Sequence, residues 1–249
     1  EESLTNISLE DVKAFYQQQV KPFGGQLIAV SDLGQAELTK SLSILENWQG
    51  KGAGLQLSLP EGNGKMGAIY LVNKDDAAQS VIRFGKRSMT QDITGEYYKS
   101  SLMNFALGGA FNSRINLNLR EDKGYTYGIS STEAELAKSG YFMIGTEVGS
   151  AQKDLAIQEI KNEIERLQKD LVPDEELELV RNYLLGQLLK SADGPYAMTD
   201  LFLSVDAYDL DFSFYENYIQ KVKNIDAEEL RALAVKYLAW DSMTIVIAG

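Results

Sequence analysis

The stretch GGAFNSRINLNLREDKGYTYG, residues 108–128, gathers Arg114, Arg120, Tyr125 and Tyr127 in a glycine-rich setting. Guanidinium and phenol groups supply hydrogen-bond donors rather than a base that titrates near neutrality. The chain has no histidine and no cysteine. A Ser–His–Asp triad, a thiol nucleophile, a disulfide and a His- or Cys-ligated zinc are therefore excluded for this chain alone. As bare spacing, Arg120 followed by Tyr127 is weak. Arg120 is equally a donor to carbonyls at a helix C-terminus, and Tyr127 equally a cross-strand aromatic. Two acidic clusters, DAYDLDF (Asp206, Asp209, Asp211) and NKDDAAQ, carry enough charge to attract a hard cation. Neither follows the calcium-loop pattern, and both read as solvated helix ends. GNGKMG, residues 62–67, lacks the GxxxxGK[ST] frame of a phosphate loop and reads as a loop or hairpin turn.

These residues must be held by elements that the pattern also shows. GQAELTKSLSILENW reads as a helix with Leu38, Leu42 and Leu45 on one stripe. Residues 51–65 read as a loop and linker. MGAIYLVN and AQSVIRFGKR read as strands. TGEYYKSSLMNFALGG reads as a helix stopped by Gly108 and Gly109. GYTYGISSTEAEL and GYFMIGTEVG read as a hairpin, with Tyr125 and Tyr127 on one strand face. AQKDLAIQEIKNEIERLQKD and DEELELVRNYLLGQLLKS are helices, and two more follow Pro195. Residues 115–119 are ambiguous, because Ile115, Leu117 and Leu119 alternate as in a strand while the flanks resemble helix ends. Strands early and helices late point to an α+β, two-layer sandwich with a mixed, mostly antiparallel sheet covered by helices.

The chain has 249 residues and a net charge of −12. That length suits one large or two small domains. The acidic balance argues against nucleic acid or anionic membranes as main partners. No run approaches the ~20 apolar residues of a membrane-spanning helix. The chain opens abruptly at EESLTNISLEDV with no signal peptide, as a trimmed chain would.

ISLEDVKAFYQQQVKPFGGQLIAVS, residues 7–31, aligns without a gap on IDAEELRALAVKYLAWDSMTIVIAG, residues 225–249. Each copy reads as a capped amphipathic helix, a break and an apolar strand, with Ser8 and Asp226 as the caps. Val12, Phe15, Tyr16 and Gln19 share a face in the first copy; Leu230, Leu233, Ala234 and Tyr237 do so in the second. The reading is that residues 1–50 are the helix–strand–helix tail of a preceding homologous domain. Residues 51–249 would form most of the next.

LGGAFNSRINLNLREDKGYTYGISS resembles the signature of the second homologous domain in the pitrilysin/insulinase family of zinc metallopeptidases. The Pro-Asp-Glu-Glu-Leu helix start after Val172 and the closing TIVIAG extend the likeness along most of the chain. The resemblance implies the insulinase-type metallopeptidase (LuxS-like) fold and a helix over 113–121, and it accounts for the repeat. The family holds zinc through an inverted HxxEH motif in its first domain, which this histidine-free chain cannot reproduce. The positions matching the second domain's contribution are Arg120 and Tyr127. The resemblance implies that they donate to the oxyanion formed when zinc-bound water attacks a peptide carbonyl. It assigns no catalytic residue to this chain alone and no metal ligand. Zinc is expected in a partner domain or subunit, with a peptide as substrate. Arg114 is read as a structural ion pair and Tyr125 as packing. Family analogy favours a periplasmic or exported location in a bacterium. The alternative is a non-catalytic scaffold or peptide-binding subunit on the same fold, with a strand edge open to β-augmentation.

Overall fold

The computed structural model describes residues 2–50, 65–90, 96–136 and 139–249. The chain forms two compact units. One comprises Glu1–Glu61 with Gly194–Thr199, the other Gly62–Asp193 with Asp200–Gly249. The linker read at 51–65 lies, apart from Lys65, outside the described residues.

In the first unit α1 (Glu2–Thr5) precedes α2 (Leu9–Gln19) and α3 (Gln35–Ser41). The α2 cap is reciprocal. Ser8 Oγ accepts from the Asp11 amide at 3.2 Å, and the Ser8 amide donates to Asp11 Oδ2 at 2.8 Å, so two orphan donors are satisfied at once. The same Ser8 groups hold the Asp11 carboxyl below its ordinary pKa. The stripe expected on α2 is present but bare. Val12, Phe15 and Tyr16 are 54%, 60% and 63% exposed. Residues 26–30, aligned with a strand at the other end, form no strand and join no ladder among the described residues.

The second unit is built on one sheet. Its strands are β1 (Ile69–Val72), β2 (Gln79–Ser88), β3 (Ile129–Glu135), β4 (Gly140–Gly149) and β5 (Thr244–Ala248). The spatial order is β1-β5-β2-β4-β3, with β1 parallel to β5 and every other pair antiparallel. Alternation along the strands sends Ile82 and Phe84, Phe142 and Ile144, and Ile245 and Ile247 to one face, where all are buried.

Helices cover that face: α4 (Glu96–Asn104), α5 (Arg114–Asn116), α6 (Lys153–Lys169), α7 (Asp174–Ser191), α9 (Ser213–Asn224) and α10 (Ala227–Tyr237), with α8 (Pro195–Asp206) between α7 and α9 in sequence. Leu102, Leu107, Ile115, Ile160, Ile164 and Leu230 have no exposed surface and join the sheet in one core. Each such side chain contributes roughly 1.5–3 kcal/mol of transfer free energy. A smaller cluster joins Tyr98, Val205 and Phe214, with Tyr218 packed against it. There the Tyr98 hydroxyl donates to the Phe214 carbonyl at 3.1 Å, and burial pushes the Tyr218 phenol up to about 12. The α+β two-layer sandwich with a mixed, mostly antiparallel sheet is thus the fold observed.

The α10 half of the repeat behaves as its pattern requires. Asp226 Oδ1 caps the helix by accepting from the Glu229 amide at 2.8 Å. Leu230, Leu233 and Ala234 are buried. Val12, Phe15 and Tyr16 occupy the aligned positions on α2 and are exposed.

Candidate functional site

The expected helix at 113–121 forms, and it resolves the strand–helix ambiguity. Ser113 is extended, at φ −73° and ψ 161°, and α5 begins after it. The helix continues as a π turn over Leu117–Asp122. A π turn inserts an extra residue into the helical ladder. Here it shows as the Lys123 amide donating to the Asn118 carbonyl at 2.9 Å. Leu119 is buried in the core, and Arg120, the next residue, emerges at its margin.

Arg120 is held without being used up. Its guanidinium carbon lies 4.3 Å above the centre of the Phe111 ring, a cation–π contact. Nη1 is 2.9 Å from Glu121 Oε1, yet that atom is buried and has no partner within hydrogen-bond geometry. The contact is therefore a charge contact only, and an N–H donor remains uncommitted.

After the π turn Gly124 takes φ +65°, a backbone state that glycine reaches without penalty. The Tyr125 amide closes the turn on the Leu119 carbonyl at 2.8 Å. Tyr125 packs half-buried on the core, as expected. Tyr127 is 94% exposed. The two do not share a strand face, because β3 begins only at Ile129 and residues 125–128 form a loop.

That loop is pinned on either side of Tyr127. Thr126 Oγ1 accepts from the Gly128 amide at 3.1 Å, and Thr146 Oγ1 donates to the Gly128 carbonyl at 3.1 Å. Thr146 Oγ1 also contacts Thr126 Oγ1 at 3.0 Å. Asn116 reaches the next residue, its Oδ1 accepting from the Ile129 amide at 3.4 Å. A fixed backbone therefore presents an exposed phenol.

Arg120 and Tyr127 line one depression of about 500 Å³ with Gln79, Gly124, Glu147 and Gln152. A second depression of about 480 Å³ adjoins it, lined by Arg83, Ser130, Met143 and Gly145. The two share Gln79, Thr126, Tyr127 and Glu147. This second wall went unremarked in the sequence. The available signal was alternation in β2, which turns Arg83 away from the buried Ile82 and Phe84.

Arg114 stands apart from the depressions. Its Nε and Nη2 donate to the two carboxylate oxygens of Glu176 on α7 at 2.8 and 2.9 Å, the expected structural ion pair. Asp211 Oδ1 accepts from the Ser213 amide at 2.8 Å, a helix-end role. Among the described residues no group of three or more His, Cys, Asp or Glu is placed to hold a metal. With no imidazole or thiolate available, the donor set of this chain does not fit a catalytic zinc. No helix among the described residues is long and apolar enough to cross a membrane.

The family described as "Peptidase M16 inactive domain" matches residues 6–184. The chain is 27% identical over 191 residues to "Non-peptidase homolog YmxG" of Helicobacter pylori, spanning 74% of this chain and 42% of that protein. It is 22% identical over 194 residues to "Uncharacterized zinc protease YmxG" of Bacillus subtilis, spanning 78% of this chain and 46% of that protein. The chain thus spans less than half the length of these relatives. Among solved structures, the peptidase M16 inactive domain of Pseudomonas fluorescens aligns over 98% of this chain and 58% of its own. Its TM-score is 0.81 at 23% identity. A Helicobacter pylori protease aligns over 100% and 60%, with a TM-score of 0.83 at 15% identity. At such identities the likeness concerns the fold.

Proposed function

Because the chain belongs to the peptidase M16 inactive-domain family, we propose that it is the metal-free, substrate-binding half of a zinc endopeptidase. The zinc is held by a homologous domain or subunit, which this chain completes. Its substrate is a peptide or an unfolded segment lying across the open depression. Arg120 and Tyr127 donate hydrogen bonds to the peptide carbonyl oxygen as negative charge builds on it. One observation carries the reading: Arg120 Nη1, buried and without a hydrogen-bond partner, and a bare Tyr127 line the same depression. Charge-directed donors of this kind are worth more in a site closed to water than in bulk solvent. Zinc-protease names among the relatives support the same assignment.

The partner's docking surface is the first unit. Its α2 stripe is exposed where the aligned α10 stripe is buried, and, among the described residues, residues 26–30 have no flanking strands such as those beside β5. A homologous domain missing its last helix and strand would cover both.

The test is reconstitution with the zinc-bearing half and turnover of a fluorogenic peptide. Arg120→Ala and Tyr127→Phe should each lower kcat about 10²–10³-fold. Unchanged turnover in both would sink the assigned roles. The Helicobacter relative's name, a non-peptidase homolog, favours a second reading: a scaffold that binds peptides without cleaving them. Peptide binding with no turnover in any reconstituted complex would select that reading.

A further inference from the structure

Register places one row of side chains across the uncovered face of the sheet. Tyr70 pairs with Val246, Val246 with Arg83, Arg83 with Gly145 and Gly145 with Ser130. Residues directly opposite one another in a sheet share a face. At the Gly145 position in this row there is no side chain, and the Arg83 guanidinium occupies the space. A Cβ on Gly145 would come within 3.1 Å of Nη1 and 3.2 Å of the guanidinium carbon. Nη1 donates to the Ile82 carbonyl at 3.1 Å and to the Thr146 carbonyl at 3.3 Å. The guanidinium is thereby laid along the strands by its own backbone contacts.

Its other donors have no such commitment. Among the described residues Nε and Nη2 make no hydrogen bond, and no carboxylate lies within ion-pair distance of Arg83. Arg83 lines the open depression, so these donors are accessible to an incoming acceptor. The acid lining the same depression is Glu147, one row along opposite Val81. It is exposed and forms no ion pair with Arg83.

We propose that Arg83 is an anion anchor, binding the carboxylate of a peptide beside the Arg120–Tyr127 depression. Tyr127 stands between the two depressions and lines both, so a peptide passing it presents an adjoining group to Arg83. The identity of the ligand as a peptide rests on the function proposed above; the anion anchor itself rests on Arg83, Gly145 and the row they share. The geometry suits a two-oxygen acceptor in the guanidinium plane, at Nε and Nη2. A glutamate or aspartate side chain and a free C-terminus both supply it.

Direct binding to this chain tests the proposal without any turnover. Three capped peptides are titrated while the backbone amides of Gly145 and Ser130 are followed by NMR. One carries a glutamate side chain and an amidated end. One has no charged side chain and a free C-terminal carboxylate. One carries glutamine and an amidated end. At least one acidic probe should bind about tenfold more tightly than the neutral one, and which acidic probe does so identifies the source of the carboxylate. Arg83→Gln should abolish that preference with the fold intact by circular dichroism. Gly145→Ala should weaken it by displacing the guanidinium. Equal binding of all three peptides, or a preference that survives Arg83→Gln, overturns the proposal. A preference lost in Arg120→Ala but kept in Arg83→Gln would assign the carboxylate to Arg120 and overturn the proposal. The Arg120 and Tyr127 roles are read in turnover and the Arg83 role in this titration, so failure of one reading is distinguishable from failure of the other.

Discussion

At the scale of single residues, two arginines of one helix have opposite fates. Arg114 spends Nε and Nη2 on Glu176 and is nearly buried, with its side chain 10% exposed. Removing one partner of such a pair leaves the other charge poorly solvated. Arg114→Ala should therefore cost about 2 kcal/mol, between the values for exposed and fully buried pairs. Urea unfolding of this variant measures it. Arg120 is committed to one ring and one charge contact, so Arg120→Ala should cost clearly less. A stability loss for Arg120→Ala as large as that for Arg114→Ala would make Arg120 structural. Tyr218 gives a pH test. Burial raises its folded pKa to about 12 from an ordinary value near 10. A raised phenol favours the folded state fully below pH 10, and that contribution is lost as pH rises toward 12. Tyr218→Phe should be less sensitive than the parent in urea titrations between pH 9.5 and 11.5. A parallel decline in both proteins would contradict this.

At the scale of elements, close approach explains what polarity patterns do not. α4 continues as a π turn over Phe105–Gly109, and there Gly108 meets α5 and β3. A Cβ at Gly108 would fall against Ile115 Cδ1 and lie 2.5 Å from Ser131 Oγ and 2.7 Å from the Ser131 amide. Gly108→Ala should destabilise by about 2 kcal/mol through overpacking, measured by the urea midpoint at unchanged slope. Gly124→Ala meets no atom within 4 Å. It should cost about 1 kcal/mol, through its positive φ alone. The glycine pair was legible as a helix stop, but its role in letting a helix rest on a strand was not. Periodicity within a segment carries no information about what lies opposite. The same limit applies to the site. Arg120 and Tyr127 were singled out by family likeness, since the alternating pattern at 115–119 fits a strand equally well. The presentation of Tyr127 on a loop depends on Thr146, distant in sequence, and no local pattern encodes it. Arg83 was written in the alternation of β2, but only the register to Gly145 gives its orientation meaning.

At the scale of the whole molecule, the repeat links two helices with the same pattern and different surroundings. Leu230 is buried where Val12 is 54% exposed, and Leu233 is 6% exposed where Phe15 is 60%. A stripe of that kind in contact with water is a cost that a partner's surface removes. Adding the zinc-bearing homologous half should slow amide hydrogen exchange across Leu9–Gln19. Exchange in α10 should hardly change, since it is already packed. No slowing in α2 would separate that helix from the docking surface assigned to it.

The sheet order carries a further implication. Among the described residues β1 is paired to β5 alone, and β5 lies between β1 and β2. The fifth of the described strands is thus the bridge by which the first of them joins the sheet. During synthesis β2, β4 and β3 can zip as antiparallel neighbours, but β1 has no place to attach until residues 244–248 are available. That closure spans most of the chain, so it belongs to the slow, long-range steps of assembly. Until it occurs, the open side of β2 and both sides of β1 are unpaired edges, the interval in which the nascent protein is most exposed to misassembly.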